Sequence, residues 1–251
     1  MLASINSVGC LLDKSKHMKV WQRKMLRVGG KRIPVWPGNA KLEQIDKHSI
    51  FMVEFIDTEC YHPGLQQIIL ERESNPQFGL KLFRGACGVK VHHVDRWKSP
   101  AANLIHQRAL ALFSAATGSL NPVADMSWAN VYRYGDYCMP HSHIRTEASV
   151  VYLLADGDSD ETNPLGGQIS FSDPRMKTCC ADEQGRVTYS FLPDMAPGRM
   201  IIFPSYLMHY VNPYTGDAPR ISLSWNISTG KIAGSPNPEL EAQRAKLAAE
   251  K

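Results

Sequence analysis

The sequence predicts a mainly β fold, a sandwich or barrel with packing helices, and three features carry that expectation. Seven short apolar segments run from residue 127 to residue 228, near 127–134, 148–154, 167–172, 187–192, 199–204, 207–212 and 220–228. Turn formers separate them: Gly157, Asn163-Pro164, Gly166-Gly167, Pro193, Pro197-Gly198 and Pro213. Short strands at this spacing mark an all-β sandwich or barrel. Upstream, two stretches carry helical rather than strand periodicity. With 251 residues, 43% of them hydrophobic and 21% charged, the chain can bury a core without disulfide support.

In chain order, residues 1–45 read as a partly ordered basic leader with weak strands and turns at Gly29-Gly30 and Pro37-Gly38. Lys14, Lys16, Lys19, Arg23, Lys24, Arg27, Lys31 and Arg32 concentrate there. Such a cluster suits a solvated face or an acidic partner, and no folded nucleic-acid module accompanies it. No nucleic-acid partner is expected. Residues 46–235 read as a single domain whose β core spans about 125–228, and 236–251 as a short C-terminal helix. Ile50–Ile56 has strand texture, and Pro63 opens a helix whose buried face includes Leu65, Ile68, Ile69 and Leu70.

The strongest local helix signal follows. Ser99-Pro100 supplies an N-cap and a first-turn proline, and Gly118 supplies the stop. Between them Ile105, Ala109, Leu112, Phe113 and Ala116 fall on one face, with Arg108 expected at its edge. This helix is expected to back a sheet.

Six cysteines (Cys10, Cys60, Cys87, Cys138, Cys179, Cys180) form no CxxC pair and no regular framework. Free thiols in a reducing compartment are the expected reading. No apolar run reaches the roughly 20 residues that span a bilayer, and no signal-peptide pattern opens the chain. The cytoplasm is the expected location.

Among nine histidines, His141 and His143 carry chelate spacing. Residues i and i+2 of a strand share a face, so two imidazoles stand side by side. His209 follows a proline that interrupts two apolar strands, and Pro219–Asn226 comes next. In that stretch Arg220, Ser222 and Ser224 share one face, while Ile221, Leu223 and Trp225 share the other. An arginine directed into a barrel needs an anionic partner. A dicarboxylate ligand held in two-point contact supplies one, and an internal Asp or Glu supplies another. His92 and His93 are adjacent, so they point apart, and His106 lies on the backing helix; all three read as structural.

The stretch Trp128–His143, with Gly135, Tyr137 and His141, resembles the first motif of the 2-oxoglutarate- and Fe(II)-dependent oxygenases. Within that superfamily it is most similar to the bacterial and phage group related to the prolyl 4-hydroxylases. Val150–Leu154, Gly166–Arg175, Pro197–Ser205 and His209–Arg220 continue the likeness over about 125–228. The resemblance implies a double-stranded β-helix, a cupin-like jelly roll with helices on one side. It implies Fe(II) and 2-oxoglutarate as cofactors, molecular oxygen as co-substrate, and a small-molecule or peptide substrate that is hydroxylated. His141 and His209 become iron ligands, and Arg220 with Ser222 the holders of the far carboxylate of 2-oxoglutarate. Tyr132 becomes a further hydroxyl in that pocket.

One departure stands out. The wider family keeps Asp or Glu where this chain has His143. Three readings stay open: His143 ligates and gives a neutral three-histidine site; Glu147 supplies the carboxylate; or position 143 is a non-ligand. Two rival functions also stand. A cupin-like three-histidine metal dioxygenase needs no 2-oxoglutarate and leaves Arg220 without a role. A non-catalytic jelly-roll binding module needs no metal.

Overall fold

The computed structural model describes residues 14–46, 49–81, 88–143, 146–158, 162–172 and 190–229. The chain opens with helix α1 (Lys14–Arg23) and the hairpin β1 (Met25–Val28) and β2 (Lys31–Pro34). Gly29 and Gly30, both at positive φ, make its turn. Strands β3 (Glu43–Asp46) and β4 (Ile50–Glu54) follow, then helix α2 (His62–Glu73). Next come β5 (Gly79–Lys81), β6 (Val89–His92) and helix α3 (Pro100–Thr117). The remaining strands are β7 (Pro122–Tyr132), β8 (Cys138–His141), β9 (Ala148–Ala155), β10 (Ile169–Ser172), β11 (Ser190–Phe191), β12 (Arg199–Pro204), β13 (Met208–Val211) and β14 (Arg220–Thr229). The expected C-terminal helix and Cys10, Cys87, Cys179 and Cys180 lie outside the described residues.

Two antiparallel sheets make the core. The large one has the order β3-β4-β12-β9-β14-β7-β6-β5, and the small one β11-β10-β13-β8. Strands alternate between the sheets in the manner of a double-stranded β-helix: β7, β9, β12 and β14 lie in one, and β8, β10 and β13 in the other. The pleat then divides the side chains of the large sheet. Ala129, Val131, Val150, Tyr152, Leu154, Met200, Ile202, Ile221, Leu223, Trp225 and Ile227 join the helices in the major hydrophobic core. Ile201 and Phe203 instead join Ile169, Phe171 and Leu207 in a smaller core between the sheets.

Helix α3 forms where its caps place it. The Ser99 hydroxyl accepts from the Ala102 N–H at 3.3 Å, and Gly118 closes the helix at φ 75°. Leu104, Ile105, Leu112 and Phe113 are wholly buried, each contributing about 1.5–3 kcal/mol. Residues 25–36 join the same core, with Val28, Ile33, Val35 and Trp36 all buried.

Arg108 is not at the edge of α3. It is wholly buried, and its five N–H donors all find acceptors. Asp57 takes two at 2.9 and 2.6 Å, Tyr61 Oη takes one, and the carbonyls of Pro34 and Val35 take the others. Its guanidinium also stacks 4.2 Å from the Phe55 ring centroid. A charged residue on the apolar face is tolerable only with such complete pairing.

Candidate metal and cofactor site

His141 and His209 are register partners across β8 and β13, so one rung of the small sheet brings them together. Their ring centroids are 4.3 Å apart. His143 lies two residues beyond β8, its N–H donating to the Ser205 carbonyl at 2.8 Å. That bond turns its ring back toward the other two, with centroids 5.1 Å from each. One ring nitrogen from each histidine lies within 4.8 Å of the others, the only such donor group among the described residues.

Hydrogen bonds set two of the tautomers. His141 Nδ1–H donates to the Met139 carbonyl at 2.8 Å and His209 Nδ1–H to the Leu207 carbonyl at 2.9 Å. Each leaves the Nε2 lone pair free for a metal. Asn226 Nδ2 lies 3.4 Å from His143 Nδ1, and a half-turn of that amide presents the oxygen that an Nδ1–H needs. Burial, the mutual repulsion of the rings and the Lys90 charge keep the site neutral. Burial first, then His141, pushes His209 down to about 3 and His143 to about 4, and burial lowers His141 as well. Neutral imidazoles are the form that ligates, so the donor set fits a single Fe(II) at neutral pH.

Glu147 is not in the group. Its Oε1 accepts from Thr229 Oγ1 at 2.8 Å, and its N–H donates to Ser228 Oγ.

The floor of the pocket is the polar face of the large sheet. Register pairs Arg220 with Tyr132, Ser222 with Asn130, and Ser224 with Trp128. Asn130 Nδ2 donates to Ser222 Oγ at 3.4 Å and Ser224 Oγ at 3.3 Å, and Trp128 Nε1–H donates to Asn130 Oδ1. Arg220 is 5% exposed, with its Cζ 5.6 Å from the Tyr132 ring centroid. No carboxylate lies within ion-pair distance of it among the described residues, and burial lowers its pKa. Gly167 makes room for it: a Cβ there would sit 2.6 Å from Arg220 Cδ. A buried guanidinium lacking an acid is a ready site for a ligand carboxylate.

The acidic loop after β9 serves the same corner. Asp158 Oδ2 accepts from the Ala218 N–H, and the Asp158 N–H donates to Tyr214 Oη. These bonds hold the approach to β14.

The structure thus gathers His141, His143, His209, Arg220, Ser222 and Tyr132 along one pocket, but not Glu147. Trp128, Asn130, Asn226 and Lys90 were missed from the sequence. Trp128 and Asn130 share strand parity with Tyr132, and Asn226 with Arg220, which was the available signal.

Residues 126–226 match the family model described as "Putative 2OG-Fe(II) oxygenase". That match spans the jelly-roll core, which is similar to the 2-oxoglutarate–Fe(II) oxygenases. Solved structures agree on the fold. A prolyl-4-hydroxylase of Pseudomonas putida aligns with a TM-score of 0.51 at 17% identity, over 73% of this chain and 95% of that one. A prolyl hydroxylase from Trichoplax adhaerens, in complex with a peptide of the hypoxia inducible factor oxygen degradation domain, aligns at 0.58 and 14%, over 91% and 99%. EctD from S. alaskensis, with 2-oxoglutarate and 5-hydroxyectoine, aligns at 0.55 and 16%, over 84% and 85%. A sequence search of curated proteins found no match. No helix among the described residues is long and apolar enough to cross a membrane.

Proposed function

We propose that this oxygenase hydroxylates a small-molecule or peptide substrate, using Fe(II) held by His141, His143 and His209 and 2-oxoglutarate held by Arg220 and Ser222. The observation that carries this reading is the pairing of three neutral imidazoles with a buried arginine that lacks an acid partner, in one pocket. When bound, iron and 2-oxoglutarate together supply the oxidising power for C–H attack on the substrate.

The chain's own residues do the positioning. Met139 and Leu207 carbonyls fix the ring orientation of His141 and His209. Asn226 backs His143, and Ser149 Oγ lies 3.2 Å from the other end of the same amide and holds it in place. Arg220, buried against the Tyr132 ring, meets the far carboxylate of 2-oxoglutarate, and Ser222 adds a hydroxyl beside it. Phe203, with its centroid 4.8 Å from that of His209, and Phe171 keep water from the inner side of the site. The same buried arginine argues against the cupin-like dioxygenase, which has no use for it, and against a metal-free binding module. Cys60 and Cys138 are not in disulfides, which goes with a reducing compartment, and the cytoplasm is the location we propose.

Three variants test the reading. His209→Ala should abolish both metal retention and 2-oxoglutarate-dependent succinate release; full turnover would sink the ligand assignment. Arg220→Ala should raise the 2-oxoglutarate concentration for half-maximal rate while Mn(II) still binds; an unchanged requirement rejects the anchor. Glu147→Gln should leave Mn(II) affinity unchanged where His143→Ala lowers it, and the opposite pattern makes Glu147 the third ligand.

A further inference from the structure

Two cationic side chains line the site pocket, and no aspartate or glutamate does. Arg220 has its use in the reading above. Lys90 has none. It comes from β6, directly opposite Asn130, which is itself opposite Ser222, so Lys90, Asn130 and Ser222 form one row across three strands. Paired residues share a face, and that face is the one that carries the site. The Lys90 ammonium stands 5.1 Å from the Trp128 ring centroid, and the Trp128 ring stands 6.0 Å from that of His143.

A half-buried ammonium normally finds a carboxylate or reaches open water. No described residue offers Lys90 a carboxylate within ion-pair distance. The Trp128 face holds it in place over the pocket instead. The cofactors do not neutralise it either. In 2-oxoglutarate one end goes to the metal and the other to Arg220. Arg220 begins β14, two strands away from Lys90 and two residues along, roughly 10 Å across and 7 Å lengthwise between backbones. A site built from three neutral imidazoles also lacks the anionic ligand that would lower its charge. The loaded pocket therefore stays cationic on the Lys90 side, and the side facing Lys90 is the part of the pocket left for substrate.

We propose that Lys90 is a specificity-determining residue: it binds a carboxylate of a small acidic substrate and sets the rest of that molecule beside the three-histidine centre. This rests on the oxygenase reading. The carboxylate would sit against the ammonium, with the Trp128 ring as a wall, and the carbon to be oxidised would lie on the His143 side.

The test uses the full chain loaded with Mn(II), which does not turn over, and N-oxalylglycine, an unreactive analogue of 2-oxoglutarate. A first measurement asks whether these two together raise the melting temperature. A second titrates into the loaded protein a panel of N-acetylated α-amino acids and short dicarboxylic acids, each paired with its primary amide, and follows binding by calorimetry. The expected result is at least one acid that binds tenfold or more tightly than its amide. Lys90→Met, which keeps the aliphatic stem on Trp128, should erase that preference with the first measurement unchanged, and Lys90→Arg should keep it. The proposal is overturned if acid and amide bind alike, if no member of the panel binds, or if Lys90→Met retains the preference. A failure of the first measurement removes the oxygenase reading itself, and this proposal with it; success there followed by failure in the second removes only the role of Lys90.

Discussion

His141 and His209 meet because they are cross-strand partners, 68 positions apart in the chain and one rung apart in the sheet. The sequence could show the spacing of His141 and His143 and the shared face of Arg220, Ser222 and Ser224, because strand parity is a local property. It could not show the choice between His143 and Glu147. That depends on where β8 ends, and the strand stops at His141, so parity no longer governs Glu147. Lys90 was invisible for another reason: β6 has only four residues, and nothing local marks its inward side. Gly167 gives a residue-scale prediction. It sits at φ 69°, and an added Cβ would lie 2.6 Å from Arg220 Cδ and 3.0 Å from Arg220 Nε. Gly167→Ala should therefore push the guanidinium off its position while leaving the histidines untouched. We expect about a tenfold weaker 2-oxoglutarate affinity, ~1.4 kcal/mol, with unchanged Mn(II) binding. Equal 2-oxoglutarate affinity in the two proteins, measured by calorimetry, would show that Arg220 is free to adjust.

At the scale of elements, α3 was legible from its caps and apolar spacing, yet the role of its one charged core residue was not. Asp57, the partner of Arg108, lies 51 residues earlier, outside any local pattern. The pair joins α3 to the β2 end through Pro34 and Val35, and to α2 through Tyr61. From Tyr61 the polar chain continues: Tyr61 Oη lies 3.2 Å from Tyr152 Oη, and His62 Nε2 lies 2.5 Å from the same hydroxyl. Burial pushes the Tyr61 hydroxyl up to about 12 and the His62 imidazole down to about 4, so both stay neutral around pH 7. Tyr152 stands on β9 between Val151 and Leu153, whose side chains take the opposite face, so this network pins the helices to the back of the site strand. Removing one partner of a buried ion pair strands the other charge, at a cost of about 3–5 kcal/mol. Asp57→Ala should lower the unfolding free energy, measured by urea titration, by that amount. Arg108→Met, which removes the charge but keeps much of the volume, should cost less. If Arg108→Met proves the more damaging, the five hydrogen bonds matter more than the stranded charge.

The whole molecule places two hydrophobic cores on opposite faces of one large sheet, with the polar rows of β7 and β14 opening the inner one into a pocket. The short apolar segments that revealed a β fold were readable because the central strands are buried on both faces by different neighbours: helices outside and the small sheet inside. The price is a set of histidines kept neutral by burial. Unfolded chains take protons on imidazole near pH 6.5. In the folded protein His62 and His143 resist protonation down to about 4, and His209 down to about 3, burial being the first cause in each. Between those limits the unfolded state binds more protons than the folded one, so stability rises with pH across the window and is lost as pH falls from 6.5 toward 4. The metal-free protein should therefore show a falling urea midpoint between pH 7.5 and pH 5, before carboxylates titrate. Mn(II) should raise the midpoint by an increment that changes little between pH 7.5 and pH 5, because burial keeps the folded site's imidazoles free of competing protons over that range. His62→Phe should flatten part of the metal-free slope without changing the Mn(II) increment, since His62 is linked to Tyr152 and not to the metal group. A midpoint that stays level from pH 7.5 to pH 5 in the metal-free protein would mean that these imidazoles accept protons in place, and that the pocket is wetter than its packing implies.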